Sequence, residues 1–144
     1  MKSGMVEPVA RLLFPAALAV AVAIFVRGYA DVGDGFSAGL LAALGATVQY
    51  FAFDRAAAAR SSGARWGGRM ALAGLALALV TLLAPVLVGA HPVTHAPAPG
   101  ESVRTFGALE LHTALLFDLG VALAVYGFVV ATLDRLLADT EGEA

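Results

Sequence analysis

The sequence contains no cysteine. This excludes a disulfide framework, a thiolate metal site and a cysteine nucleophile, and leaves the redox compartment unreadable. Charge is scarce as well: Asp, Glu, Lys and Arg make up 14% of the 144 residues, against about a quarter in soluble domains. A formal charge of −2 offers no basic field for nucleic acid, so no nucleic-acid partner is expected. Catalytic signatures are missing too. Ser37, Ser61, Ser62 and Ser102 have no nucleophile elbow around them, and neither a Walker-type phosphate loop nor an HExxH run occurs. The chain is therefore not read as an enzyme, and no cofactor is expected.

Apolar residues are what the chain has in abundance, at 60% of the total. A helix that crosses a membrane needs about 20 of them in succession, because the hydrocarbon core is about 30 Å thick and each residue rises about 1.5 Å. Four segments qualify, at about residues 8–26, 36–53, 70–90 and 108–133. In the first, Arg11 and Pro15 fall near the start, where arginine snorkels and proline is tolerated. Its small residues lie within the apolar run rather than after it, so a membrane helix is expected there rather than a cleaved signal peptide. The expected fold is an all-α integral membrane protein, a single four-helix domain over residues 1–144.

The nine basic residues set the orientation. Four helices put the N-terminus, the loop between the second and third helices and the C-terminus on one side, which collects Lys2, Arg11, Arg55, Arg60, Arg65, Arg69 and Arg135. The other side has Arg27 and Arg104. The positive-inside rule then predicts that both termini are cytoplasmic. Trp66, Tyr50, Phe51 and Phe53 are expected at the inner interface, and Phe25, Tyr29 and Phe36 at the outer one. The outer loop beginning at Ala90 carries Pro92, Pro97 and Pro99, which oppose a helix. His91 and His95 are thereby denied a helical metal pair, and no metal site is expected.

Asp118 is the unusual residue of the fourth segment. If that span begins near Leu111, the carboxyl group lies about 10 Å below the outer boundary. A carboxylate at that depth costs several kcal/mol unless it is protonated, paired or wetted. It is either an ion-handling group or a partner for another helix. With about 100° per residue, Glu110, Ala114 and Asp118 share one face of a helix, with Thr113 and Phe117 beside them. That face reads as two steps of an ion or proton path, or as an interfacial acid above a buried contact.

Small residues mark close packing. Gly120, Ala124, Gly127 and Ala131 form a stripe in the fourth helix, and Gly35, Gly39, Ala43 and Ala46 in the second. Four helices with few carboxylates and no internal inverted repeat suit one component of a larger membrane assembly. The stretch RGYADVGDGFSAGL, residues 27–40, reads as an outer hairpin. Arg27 ends the first helix, Gly28, Gly33 and Gly35 permit the reversal, and Asp34 either caps the second helix or stands at the mouth of a cation path.

Two stretches together carry a family resemblance. Gly28, Gly33, Gly35, Phe36 and Gly39 resemble the glycine-rich signature between the first two helices of the B subunit of Mrp-type multisubunit sodium/proton antiporters, the MnhB-like family. Tyr29, Val32, Asp34 and Ala38 depart from that signature. In the last helix, Phe117, Asp118, Gly120 and Val121 are similar to the family's Phe-Asp-x-Gly-Val motif. The resemblance implies a small subunit of a hetero-oligomeric antiporter in the cell membrane. Its partners would be other membrane subunits, the lipid bilayer, protons, and Na+ or another monovalent cation. It assigns ion handling to Asp118 and structural roles to Phe36 and the motif glycines. A subunit of a hydrogenase-like or other ion-pumping complex, or a purely structural assembly subunit, stays open.

Overall fold

A computed structural model describes residues 5–27, 33–87, 89, 91, 105–106, 109–110 and 113–142. The chain forms α1 (Val6–Arg27), α2 (Gly35–Ala52), α3 (Arg55–Ser62), α4 (Ala64–Leu87), β1 (Thr105–Phe106), β2 (Leu109–Glu110) and α5 (Thr113–Gly142). Four of these helices, all but α3, are long and apolar enough to cross a membrane. The expected spans are thus present, with different ends. Hydrocarbon length limits a span but not the helix that contains it, so α4 starts at Ala64 rather than near residue 70, and α5 runs to Gly142 rather than stopping near 133.

The ends of α3 explain why it exists as a separate helix. Asp54 is in an extended conformation and its carboxylate accepts a 2.8 Å hydrogen bond from Ala57 N–H, a side-chain N-cap. Gly63, with φ +68°, closes the other end in the left-handed conformation that Cβ-bearing residues avoid. α4 then starts at once. Pro15 and Pro85 both lie inside helices, which intramembrane packing allows. One departure from an all-α chain is a two-residue antiparallel ladder that pairs Thr105 with Glu110 and Phe106 with Leu109.

The spans pack in the order α1, α2, α5, α4. α1 and α2 are antiparallel: Gly45 meets Ala17 and Phe14, and Gln49 reaches Ala10. α2 and α5 are parallel, with Gly35 on Asp118, Gly39 on Ala122 and Tyr50 on Asp134. α5 and α4 are antiparallel, with Gly120 against Gly74 and Ala78, and Gly127 against Gly67 and Ala71. One end of the row therefore holds the start of α1, all of α3, the start of α4 and the end of α5. The opposite end holds Asp118 and the starts of α2 and α5.

Small side chains dominate the interior. Ala43, Ala46 and Ala58 are fully buried, and Val130 is the largest side chain that is. Water expulsion supplies no drive between helices already in lipid, so backbones must approach closely enough for dispersion contacts to accumulate. Both small-residue stripes expected from the sequence lie in these seams. Their counterparts on α4, Gly67 and Gly74, complete the second seam. The flanks of α1 and α4 instead expose Leu12, Val20, Leu72 and Val80, as surfaces in hydrocarbon do.

Candidate functional site

Asp118 is 6% exposed and lies five residues into α5, about 7.5 Å along its axis. Two glycines of the preceding hairpin build its surroundings. Gly33 has φ +128° and directs its N–H to the Asp118 carboxylate, with N to Oδ2 at 3.1 Å. N–H groups ahead of a helix have no intrahelical acceptor, so this donor is free to bind a side chain. Gly35 lies directly on the α5 backbone. A Cβ there would stand 2.8 Å from the Asp118 Cα, so only glycine permits this approach. Among the described residues Gly33 N–H is the one hydrogen-bond partner of the Asp118 side chain, and no described cation pairs with it.

The other expected site residues are not all gathered there. Asp34 follows Gly33 in the chain and is half-buried at the N-cap position of α2. Its helical φ and ψ of −83° and −2° leave its side chain without a cap bond, which corrects the expected capping role. Glu110 is in β2, outside α5, because the ladder interrupts the chain before the helix begins. The expected helical face of Glu110, Ala114 and Asp118 is therefore not formed. Thr113 is the first residue of α5 and is half-buried, as is Phe117. Phe36 is exposed on α2, while Gly39 and Gly120 lie in the two seams described above. Gly28, Tyr29, Asp31, His95, Arg104 and His112 fall outside the described residues, and His91 is exposed.

A second polar cluster was not anticipated from the sequence. At the α3 end Arg55 donates to Asp134 twice, Nε to the backbone oxygen and Nη2 to Oδ2, each at 3.0 Å. The Tyr50 hydroxyl lies 3.5 Å from the other carboxylate oxygen. Buried Gln49 donates through Nε2 to Ala10 O at 2.7 Å, and Tyr126 Oη donates to Ser62 O at 2.7 Å. Gln49 was detectable as a lone amide in an apolar run. Opposite charges closing two spans, Arg55 and Asp134, are the signal that could have revealed the ion pair. Arginines at this end also stack on aromatics: Arg11 over Phe53 at 5.3 Å, and Arg65 and Arg69 over Trp66 at 5.5 and 4.9 Å.

Four apolar spans around a buried carboxylate with no described counter-charge define a multi-pass membrane protein with an ionisable group inside its helical layer. Residues 5–131 match the family model described as a domain related to the MnhB subunit of Na+/H+ antiporter, and the chain belongs to that family. It is a multi-pass protein of the cell membrane. Over 122 residues it is 30% identical to the B subunit of a Na(+)/H(+) antiporter of Alkalihalophilus pseudofirmus, spanning 85% of this chain and 83% of that one. It is also 31% identical over 133 residues, 88% of this chain, to a protein of Rhizobium meliloti named as a probable A/B subunit of a K(+)/H(+) antiporter. The chain spans 12% of that protein's length.

Proposed function

We propose that this chain is a small membrane subunit of a multisubunit antiporter that exchanges a monovalent cation for protons, and that Asp118 handles the ion. The supporting observation is the state of the Asp118 carboxylate. It is buried in the α2–α5 seam, one oxygen is held by a backbone N–H, and no described cation neutralises it. A carboxylate so placed can take up a proton or ligate a cation, and intramembrane carboxylates are costly enough to mark such sites. Asp34, adjacent to Gly33, is proposed to lie at the entrance, with Glu110 and Thr113 on the approach. The relatives name both Na+ and K+, so the cation is left at its class.

The Gly33–Asp118 bond also supports a second reading, in which Asp118 only ties the hairpin to α5 within an assembly subunit. Asp118→Asn separates the two. Asparagine keeps an oxygen for Gly33 N–H but neither titrates nor carries charge. Cation-dependent proton exchange is measured in everted membrane vesicles, and assembly by co-purification of the other subunits. Ion handling predicts exchange lowered on the order of tenfold, or about 1.4 kcal/mol, with assembly intact. Unchanged exchange would leave the structural tie.

We further propose that both termini are cytoplasmic. The alternating directions of the four spans gather Arg11, Arg55, Arg60, Arg65 and Arg69 at the end where α1 starts and α5 ends, which the positive-inside rule assigns to the cytoplasm. Absence of cysteine makes single-cysteine labelling clean. A membrane-impermeant maleimide should label Thr140→Cys in everted vesicles but not in intact cells, and His91→Cys the reverse. The opposite pattern would invert the topology.

A further inference from the structure

α1 and α4 flank the central pair α2 and α5, and on one face the row leaves an open groove of about 550 Å³. Its size falls in the range of about 300–1,000 Å³ typical of small-molecule sites. The walls are hydrocarbon, from Leu18 and Val22 of α1, Ala42 of α2, and Leu119 and Leu123 of α5. Tyr126 presents a wall here too, since its hydroxyl is bonded to Ser62 O. One end is different. The last turn of α3 closes it with Arg60, Ser61 and Ser62.

We infer that this groove holds one acyl chain of an anionic phospholipid, with the lipid phosphate on Arg60 and Ser61. Three observations carry this occupant. First, the charge is placed for it. Arg11, Arg55, Arg65 and Arg69 already engage Phe53, Asp134 or Trp66, whereas Arg60 is exposed at the groove end and has no ion-pair partner among the described residues. Guanidinium matches phosphate oxygens in a two-point geometry. Second, the length fits. Along α1 the lining runs from Phe14 to Phe25, eleven residues or about 16 Å. One leaflet contributes about 15 Å, half of the roughly 30 Å hydrocarbon core. Third, polarity runs in the order of a lipid: one charged end, then a continuous apolar trough that water cannot satisfy and that loses dispersion contacts when empty.

The test uses the full-length chain in phosphatidylcholine vesicles doped with a photoreactive phosphatidylglycerol bearing a diazirine on its acyl chain. Crosslinked peptides are mapped by mass spectrometry. The expected result is labelling concentrated on groove residues such as Leu18 and Leu123 over the outward-facing Leu72 and Leu79 of α4. It should fall severalfold in Arg60→Gln and be weaker with the matching phosphatidylcholine probe. Ala42→Trp, which fills the trough without touching the charge, should also displace the label. Equal labelling of groove and α4 flank, or groove labelling indifferent to both substitutions, would overturn the assignment. So would loss of the lipid label from groove residues when the same probe is used on the assembled complex. An unchanged melting temperature of Arg60→Gln separates lost lipid contact from a folding defect.

Discussion

Two aspartates on α5 sit at opposite ends of the same seam with α2, and they are solved in opposite ways. Asp134, near the α3 end, is paired with the Arg55 guanidinium and approached by the Tyr50 hydroxyl. Asp118, at the other end, is more deeply buried and is met by one backbone N–H among the described residues. The Arg55 guanidinium gives the Asp134 carboxylate a counter-charge. The Gly33 N–H holds the Asp118 carboxylate in position without supplying a counter-charge. On the proposed function, the contrast separates an ion-handling role from an anchoring one on a single helix.

The sharpest way to break this contrast is to remove each charge in turn. Asp118→Asn is expected to lower exchange on the order of tenfold, whereas Asp134→Asn should change it by less than about twofold and lower the melting temperature instead. Exchange in everted vesicles and unfolding of the purified chain give the two readouts. Equal losses of exchange would mean that both ends of the seam serve transport.

The next effect comes from the glycine that brings the backbones together. Gly35→Ala drives a methyl into the α5 backbone at Asp118, and backbone cannot rotate away as a side-chain tip can. Overpacking of this kind costs about 1–3 kcal/mol. The seam should open, Gly33 N–H should leave Asp118, and both stability and exchange should fall. Gly68→Ala is the control, since its nearest contact is the end of the Arg135 side chain at 4.0 Å. If Gly35→Ala melts like the native chain, the close approach is not what positions the carboxylate.

How much of this was legible in the sequence depends on the length scale of the signal. The four spans were readable because hydrophobicity over about 20 residues reports on lipid directly. The stripes of Gly35 and Gly39, and of Gly120 and Gly127, were readable because small residues at helical intervals permit close backbones. Local chemistry was less so. Arg55 to Ser62 is too short and too polar on average for a span, and hydropathy treats it as loop; the run Ala56 to Ala59, the Asp54 cap and the Gly63 stop are what reveal a helix. Glu110 lies in the run LELH that continues smoothly into the apolar segment, so periodicity extended the helix through a strand pair that depends on Thr105 and Phe106. At Asp118 the sequence supplied the buried carboxylate, but its partner is 85 residues away in Gly33, a main-chain donor invisible to any motif of side chains. Asp134 was missed because an acid at the end of a span looks solvated until the neighbour that neutralises it is placed.

The smallest expected effect concerns that neighbour. The Arg55 and Asp134 side chains retain 33% and 21% of their exposure, so solvent screens the pair and limits what it contributes. A double-mutant cycle with Arg55→Gln and Asp134→Asn, read by unfolding in detergent, should give a coupling of no more than about 1 kcal/mol. Exchange should be preserved in the double variant, because removing both members leaves neither charge of the pair stranded. If the coupling is near zero, the Tyr50 contact and the Arg55 bond to the Asp134 backbone oxygen carry the anchor, and only its electrostatic part is lost. If exchange instead collapses in the double variant while the chain stays folded, the α3 end is part of the ion path, and the division of labour between the two aspartates fails.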